Sequence, residues 1–168
     1  DVTPVVESEI IEKSSYYSSF SGKVIEINEN DTKDLTYALV EDEEGNYANL
    51  VLSEDTYYIN DQKIQVGSQI TGYYDATAFM IMIYPPQYSI VVAVVENQEA
   101  NLKVDYFDSN LISADNMLQL NISEDTEVIT KDGKEYKGEL GNRRLAVFYD
   151  VSTRSIPAKT NPNKVIVL

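Results

Sequence analysis

Cysteine, histidine and tryptophan are all missing from this 168-residue chain. Without cysteine there is no disulfide, no thiolate nucleophile and no cysteine-held zinc or iron–sulfur centre. Without histidine the commonest general base and the commonest transition-metal ligand are gone. Together the two absences exclude Ser-His-Asp and Cys-His catalysis. No serine precedes a lysine by three positions to supply the Ser-x-x-Lys alternative. Positive charge is also scarce, with 13 basic residues against 28 acidic and a net charge of −15. Phosphate backbones and anionic bilayers repel such a chain, so no nucleic-acid partner is expected. No apolar run approaches the ~20 residues of a membrane-spanning helix, and no membrane insertion is expected.

What the chain does contain is strand chemistry. Hydrophobic residues make up 43% of it, enough to build a core, and they lean toward Val, Ile, Leu and 13 tyrosines. Such side chains suit a half-buried pleated surface better than a helix. Residues 22–28 are apolar at Val24, Ile25 and Ile27. Leu35, Tyr37 and Leu39 alternate with small or polar neighbours, and Ala48, Leu50 and Leu52 resume the period of two after a turn cluster at 42–46. This reads as a β-hairpin. Further strands are expected at 57–60, 63–66 and 69–75, and the apolar runs 79–84 and 90–95 read as two more. Residues 1–15 read as an N-terminal tether with room for a short helix over 5–13.

The second half replays the first. Ser53-Glu54-Asp55-Thr56 recurs as Ser123-Glu124-Asp125-Thr126, each copy preceded by an alternating strand and followed by a β-run. Tyr73-Tyr74-Asp75 is matched by Phe148-Tyr149-Asp150, a proline-bearing loop follows each, and an apolar strand then follows at 90–95 or 165–168. Six elements in one order predict an internal duplication. The expected fold is all-β: two tandem, internally duplicated small β-barrels, OB-like in template, over residues 16–98 and 99–168 and packed against each other. A barrel removes the unpaired edges that so small a sheet would otherwise expose. An SH3-like barrel, or one sandwich shared by both halves, is the alternative. The charge divides unevenly: residues 1–98 hold 17 acidic and 4 basic side chains, so a cationic partner or divalent ions would meet the first half, although solubility alone is the preferred reading of the charge.

Calcium takes six to eight oxygen ligands, and Asp31 and Asp34 in one turn, Asp42 and Glu44 in another, offer carboxylates for it. Neither segment completes an EF-hand, and hairpin turns favour Asp, Asn and Gly for their own reasons. Turn chemistry is the preferred reading, with calcium the one cofactor these residues suggest. The neighbours Glu54/Asp55 and Glu124/Asp125 would point to opposite faces of a strand, so they read as bends rather than as converging acids. A glycosidase needs two facing carboxyl groups about 5–9.5 Å apart, and no pair is singled out. Met80 and Met82 could offer thioethers to Cu(I), but on one strand face beside Tyr84 they read as core filler. The tyrosines are the surplus. Tyr57 and Tyr58, like Tyr73 and Tyr74, are adjacent on strands, so one of each pair should face outward to stack on a sugar or pack against a protein. The preferred reading makes them caps of the barrel or the contact between halves.

Several segments carry a family resemblance. Glu54-Asp55-Thr56, Ile70-Thr71-Gly72-Tyr73-Tyr74-Asp75, Ser123-Glu124-Asp125-Thr126 and above all Met80-Ile81-Met82-Ile83-Tyr84-Pro85-Pro86-Gln87-Tyr88 resemble an uncharacterised family of exported proteins from Gram-positive anaerobes. Its members are often found with copper amine oxidase N-terminal-like repeat domains. The resemblance covers roughly residues 16–168 and implies an extracytoplasmic location, secreted or cell-wall associated, and no activity. A first residue Asp1 followed by Ser8, Ser14, Ser15, Ser18 and Ser19 fits a mature exported segment. The expected function is therefore a non-catalytic module that binds a protein or glycan of the cell envelope through a barrel face or the groove between halves. A calcium-stabilised structural or adhesive module ranks second, and a small carboxylate-based hydrolase of cell-wall glycans third.

Overall fold

In the computed structural model, which describes residues 14–59, 63–96 and 101–168, the chain forms twelve strands, and no helix occurs among the described residues. It divides into two compact units, Tyr17–Glu99 and Asp1–Tyr16 with Ala100–Leu168. Of the expected tether, residues 1–13 and the short helix placed there lie outside the described residues.

The unit Tyr17–Glu99 contains β1 (Tyr17–Asn30), β2 (Leu35–Glu41), β3 (Tyr47–Leu52), β4 (Tyr57–Tyr58), β5 (Gln69–Asp75) and β6 (Gln87–Val95). Strands β1, β2 and β3 form an antiparallel meander; β1 also pairs antiparallel with β5, and β5 with β6. β6 then returns in parallel to β3, which closes a five-stranded barrel. The short β4 adds in parallel to β6 at Val92 and Ala93.

Closure requires β1 to serve two neighbours. Its first part pairs with β5, from Tyr17↔Asp75 to Lys23↔Gln69, and its second with β2, from Lys23↔Glu41 to Asn30↔Leu35. Gly22 stands at the change-over, where a Cβ would overlap the Glu41 carbonyl oxygen, so only glycine admits this approach of backbones. A bulge follows at Ile25. In an unbroken strand Val24 and Ile27 would face opposite ways; the extra residue lets both face the core while Glu26 stays exposed. A second bulge, at Val91, likewise turns Tyr88 and Ile90 before it and Ala93 and Val95 after it toward the same core. That core also holds Ala38, Val40, Ala48, Leu50, Leu52 and Ile70. The strand expected at 63–66 is a turn instead: Val66 is exposed, and the following Gly67, at a φ of 98°, donates its N–H to the Val24 carbonyl.

The second unit contains β7 (Asn101–Phe107), β8 (Leu118–Leu120), β9 (Glu127–Thr130), β10 (Arg143–Tyr149), β11 (Ala158–Thr160) and β12 (Lys164–Val167). Its pairings are β7–β10 and β10–β12 antiparallel, β12–β9 and β11–β8 parallel. Single bridges join Phe107 to Ser113 and Ile112 to Gln119. Phe107, Leu118, Leu120, Leu145, Val147, Val165 and Val167 form its core. Beside that core lies a fully buried acid, Asp105. Its carboxylate accepts N–H groups from Tyr16 and Tyr106 at 2.8 Å and from Asp115 at 3.4 Å, with the Lys103 ammonium 4.0 Å away. These partners offset the desolvation of the charge. Tyr16 is further held by stacking on Tyr106, with ring centroids 5.0 Å apart.

The repeated Ser-Glu-Asp-Thr segments share one hydrogen-bond pattern. Thr56 Oγ1 accepts the Ser53 N–H and donates to the Ile90 carbonyl, which lies beside the Val91 bulge. Thr126 Oγ1 accepts the Ser123 N–H and donates to the carbonyl of Pro162, in the break between β11 and β12. In both places the hydroxyl serves a carbonyl at an irregularity in the strand pairing. Ser53 and Ser123 hydroxyls accept the N–H of Asp55 and Asp125, so these segments are bends, as the sequence predicts.

Thr56→Val leaves the buried Ile90 carbonyl and the Ser53 N–H without that partner and is expected to cost about 1–3 kcal/mol in urea unfolding. Thr126→Val, at a half-buried site open to water, should cost less. Equal costs would contradict this account. The second unit gives a pH test. Burial pushes the Asp115 carboxyl up, but hydrogen bonds from Lys103 and Ser113, the Lys103 charge and the Met117 N–H together hold it below its ordinary value. A carboxyl so lowered stabilises the fold above the unfolded value of about 3.9, and this is lost as pH falls through the folded value. Asp115→Asn should therefore lower the unfolding midpoint at pH 7, with the gap to the parent narrowing toward pH 3; a gap independent of pH would refute the assignment.

Candidate functional site

The outer face of the β2–β3 hairpin is the first half of the candidate site. Strand alternation points Ala38, Val40, Ala48, Leu50 and Leu52 into the barrel. Outward stand Tyr37, Leu39 and Glu41 of β2, paired with Val51, Asn49 and Tyr47 of β3. The alternation of Leu35, Tyr37 and Leu39 marks two faces of β2, and the structure turns the Ala38 and Val40 face inward. A five-stranded barrel has a narrow lumen, and Ala38 with Ala48 fits where larger side chains would not. An outward strip with four apolar or aromatic members, all half-buried, results.

The second half is the loop between β5 and β6. Residues 79–84, expected as a buried strand with Met80 and Met82 in the core, belong to no strand. Phe79 is 94% exposed, Met82 98% and Tyr84 73%, and Ile81 and Ile83 are exposed as well. The physical reason is closure. Since β5 and β6 pair with each other inside a complete barrel wall, the chain connecting them has no vacant edge to join. Pro85 and Pro86 lack the N–H groups a ladder needs. The loop's far end is anchored on the hairpin, for the Asn49 N–H donates to the Pro86 carbonyl at 2.8 Å and Asn49 pairs with Gln87. The Tyr47 phenol is pushed above its ordinary value by a hydrogen bond to Glu41, by the Glu41 charge, by burial and by Tyr84. No charged residue occurs from Ala76 through Val95. Contiguous exposed apolar side chains of this kind mark interaction surfaces.

The tyrosines singled out from the sequence are not brought together. Tyr57 and Tyr73 both pair with Val92, from opposite sides of β6, and so share one face. Tyr74 stacks on Tyr88 at 4.0 Å and packs with it against the barrel core. Tyr58 is the most exposed of the four, at 37%. Burial pushes the phenols of Tyr58 and Tyr73 up, and that of Tyr74 too, with Tyr88 adding to it. The aromatic residues that sequence reasoning missed are Tyr37, Tyr47, Phe79 and Tyr84. The signal in the sequence for Phe79 and Tyr84 is the charge-free stretch with its double proline.

The carboxylates proposed for calcium are placed as follows. Asp42 accepts the Glu44 N–H at 2.9 Å, the Asn46 N–H at 2.8 Å and the Asn46 amide at 3.2 Å. The Asn46 backbone bond leads the causes that hold its carboxyl below the ordinary value. Glu44 lies in the same turn, and Asp31 and Asp34 in the β1–β2 turn, where Asp34 has a φ of 52°. Among the described residues no three or more acidic side chains gather in metal-holding reach. In the second unit an open groove of about 610 Å³ is lined by Gln119, Asn121, Val151, Thr153, Lys159 and Asn161 among others. It presents amides, hydroxyls and the Lys159 side chain, and among the described residues no carboxylate lines it.

Fold and site together define an all-β protein with a closed five-stranded barrel that carries an apolar loop on its outside. The chain matches no protein-family model, and no curated protein is significantly similar to it.

With the Asp42 oxygens already engaged by the turn, millimolar calcium is expected to leave the thermal midpoint of the full chain unchanged. A rise in midpoint with calcium concentration would show an ion bound to the folded state.

Proposed function

We propose that this chain is a non-catalytic, extracytoplasmic binding module made of two tandem, duplicated OB-like barrels, of which the first carries the partner site. The barrel circuit β1-β2-β3-β6-β5, closed by a parallel pair, supports the OB-like reading. Duplication is supported by the pairings of the second unit. There β7, β10, β12 and β9 repeat the order and sense of β1, β5, β6 and β4, and β8–β11 repeats the parallel β3–β6 pair. The bridges at Ser113 and Ile112 stand where β2 would be, so the second copy has a shortened hairpin. The extracytoplasmic location is supported by the resemblance of the 80–88 segment to exported proteins.

OB-like barrels bind along an outer sheet face and the loops that flank it. Here that face is the β2–β3 strip and the flanking loop is 76–86. The observation that carries the reading is the contiguous exposure of Phe79, Ile81, Met82 and Tyr84 in one uncharged loop. With neither histidine nor cysteine, the surface offers recognition rather than imidazole or thiol chemistry.

The double variant Phe79→Ser/Met82→Ser tests it. Both side chains are exposed, so the unfolding midpoint should stay within about 0.5 kcal/mol of the parent. Signals of the full chain on protein and glycan arrays should vanish in the variant. Array binding that survives the double substitution would place the site elsewhere.

A further inference from the structure

Resting on that binding reading, we infer that the partner is a polypeptide segment carrying Lys or Arg beside apolar side chains. Residues 23–56, which form most of the β1–β2–β3 meander and its turns, hold ten carboxylates and two cations, Lys33 and Lys23, the latter opposite Glu41 on β1. Their placement around the apolar strip is ordered. At one end, next to Tyr47, stand Glu41 and the turn with Glu43 and Glu44. At the other end, past the Thr36↔Leu52 pair, lie Asp31 and Asp34 of one turn and Glu54 of another. Along the β1 side, Glu26 pairs with Leu39. The fourth side, where β3 meets β6, is the uncharged loop. The surface is thus an apolar strip and an apolar loop, bordered by negative charge on three sides.

This arrangement selects among occupants. A second copy of the chain would bring like charge against like, which costs affinity. An anionic bilayer is repelled for the same reason. A neutral bilayer or an uncharged glycan could meet Phe79 and Tyr84, but leaves the surrounding carboxylates without a counterpart. A cationic amphipathic segment satisfies both parts: its apolar side chains cover Tyr37, Leu39, Tyr47, Val51 and the loop, while its cations face the acidic borders. Such a field also raises the rate of encounter, in a manner that salt suppresses.

The test pans a phage library of random 12-residue peptides on the immobilised full chain, then measures binding of the enriched synthetic peptides by fluorescence anisotropy. Enriched sequences should combine Lys or Arg with aliphatic or aromatic residues, and should bind at least about tenfold more weakly at 0.5 M than at 0.05 M salt. Phe79→Ser/Met82→Ser should abolish binding. Glu26→Gln/Glu43→Gln/Glu44→Gln, which touches exposed side chains only, should weaken it by about tenfold without moving the unfolding midpoint. Peptides that are neutral or acidic, or salt-insensitive, yet still lost in the loop variant would overturn the cationic partner while leaving the binding reading intact. No loop-dependent peptide at all would overturn both. Sedimentation with neutral phosphatidylcholine vesicles that the loop variant abolishes would assign the loop to lipid and refute the inference.

Discussion

The parallel pairing of β6 with β3 is the constraint on which the first unit depends. Once that pair closes the wall, each of the five barrel strands has a partner on both sides and the inward face becomes the lumen. β1 must then bend far enough to meet β5 and β2 in turn, which explains the glycine at position 22 and the extra residue at Ile25. It also explains why the connection from β5 to β6 is expelled. An apolar segment with no free edge beside it cannot become a strand, whatever its composition.

Closure governs the outer surface as well. A narrow lumen takes alanine and valine from β2, so the larger Tyr37 and Leu39 are left on the outside. Apolar material is therefore displaced outward twice, once on the hairpin and once in the loop, and the two places are joined at Asn49 and Pro86. Around them gathers the strongest negative charge of the chain. Under the proposed function these are one surface with one kind of partner, and no catalytic group is needed to account for it.

The second unit solves similar pairing problems with less regular means. A bulge in β6 is answered by the Asn161-Pro162-Asn163 break, and in each case a threonine hydroxyl takes the carbonyl that the irregularity releases. Its buried carboxylate, Asp105, is solvated largely by backbone N–H groups, including that of Tyr16, which belongs to this unit although it directly precedes β1. If the two units descend from one ancestral barrel, the first kept a long β1–β2 hairpin with its acidic turns and the second reduced that hairpin to two bridges.

The sequence by itself determined the strand character, the absence of imidazole and thiol chemistry, the acidic first half and the bends at 53–56 and 123–126. Each of these is a property of side-chain type or of hydrogen bonds spanning two or three residues. Strand 69–75 was legible to the residue, because its ends are set by local polar and turn chemistry. Only the tertiary structure decided which face of β2 points inward and that 79–84 leaves the barrel. Periodicity identifies two faces but does not name the buried one, and lumen width and edge vacancy are properties of five strands together. The candidate site was hidden for the same reason, since its apolar residues looked like core until the core was complete without them.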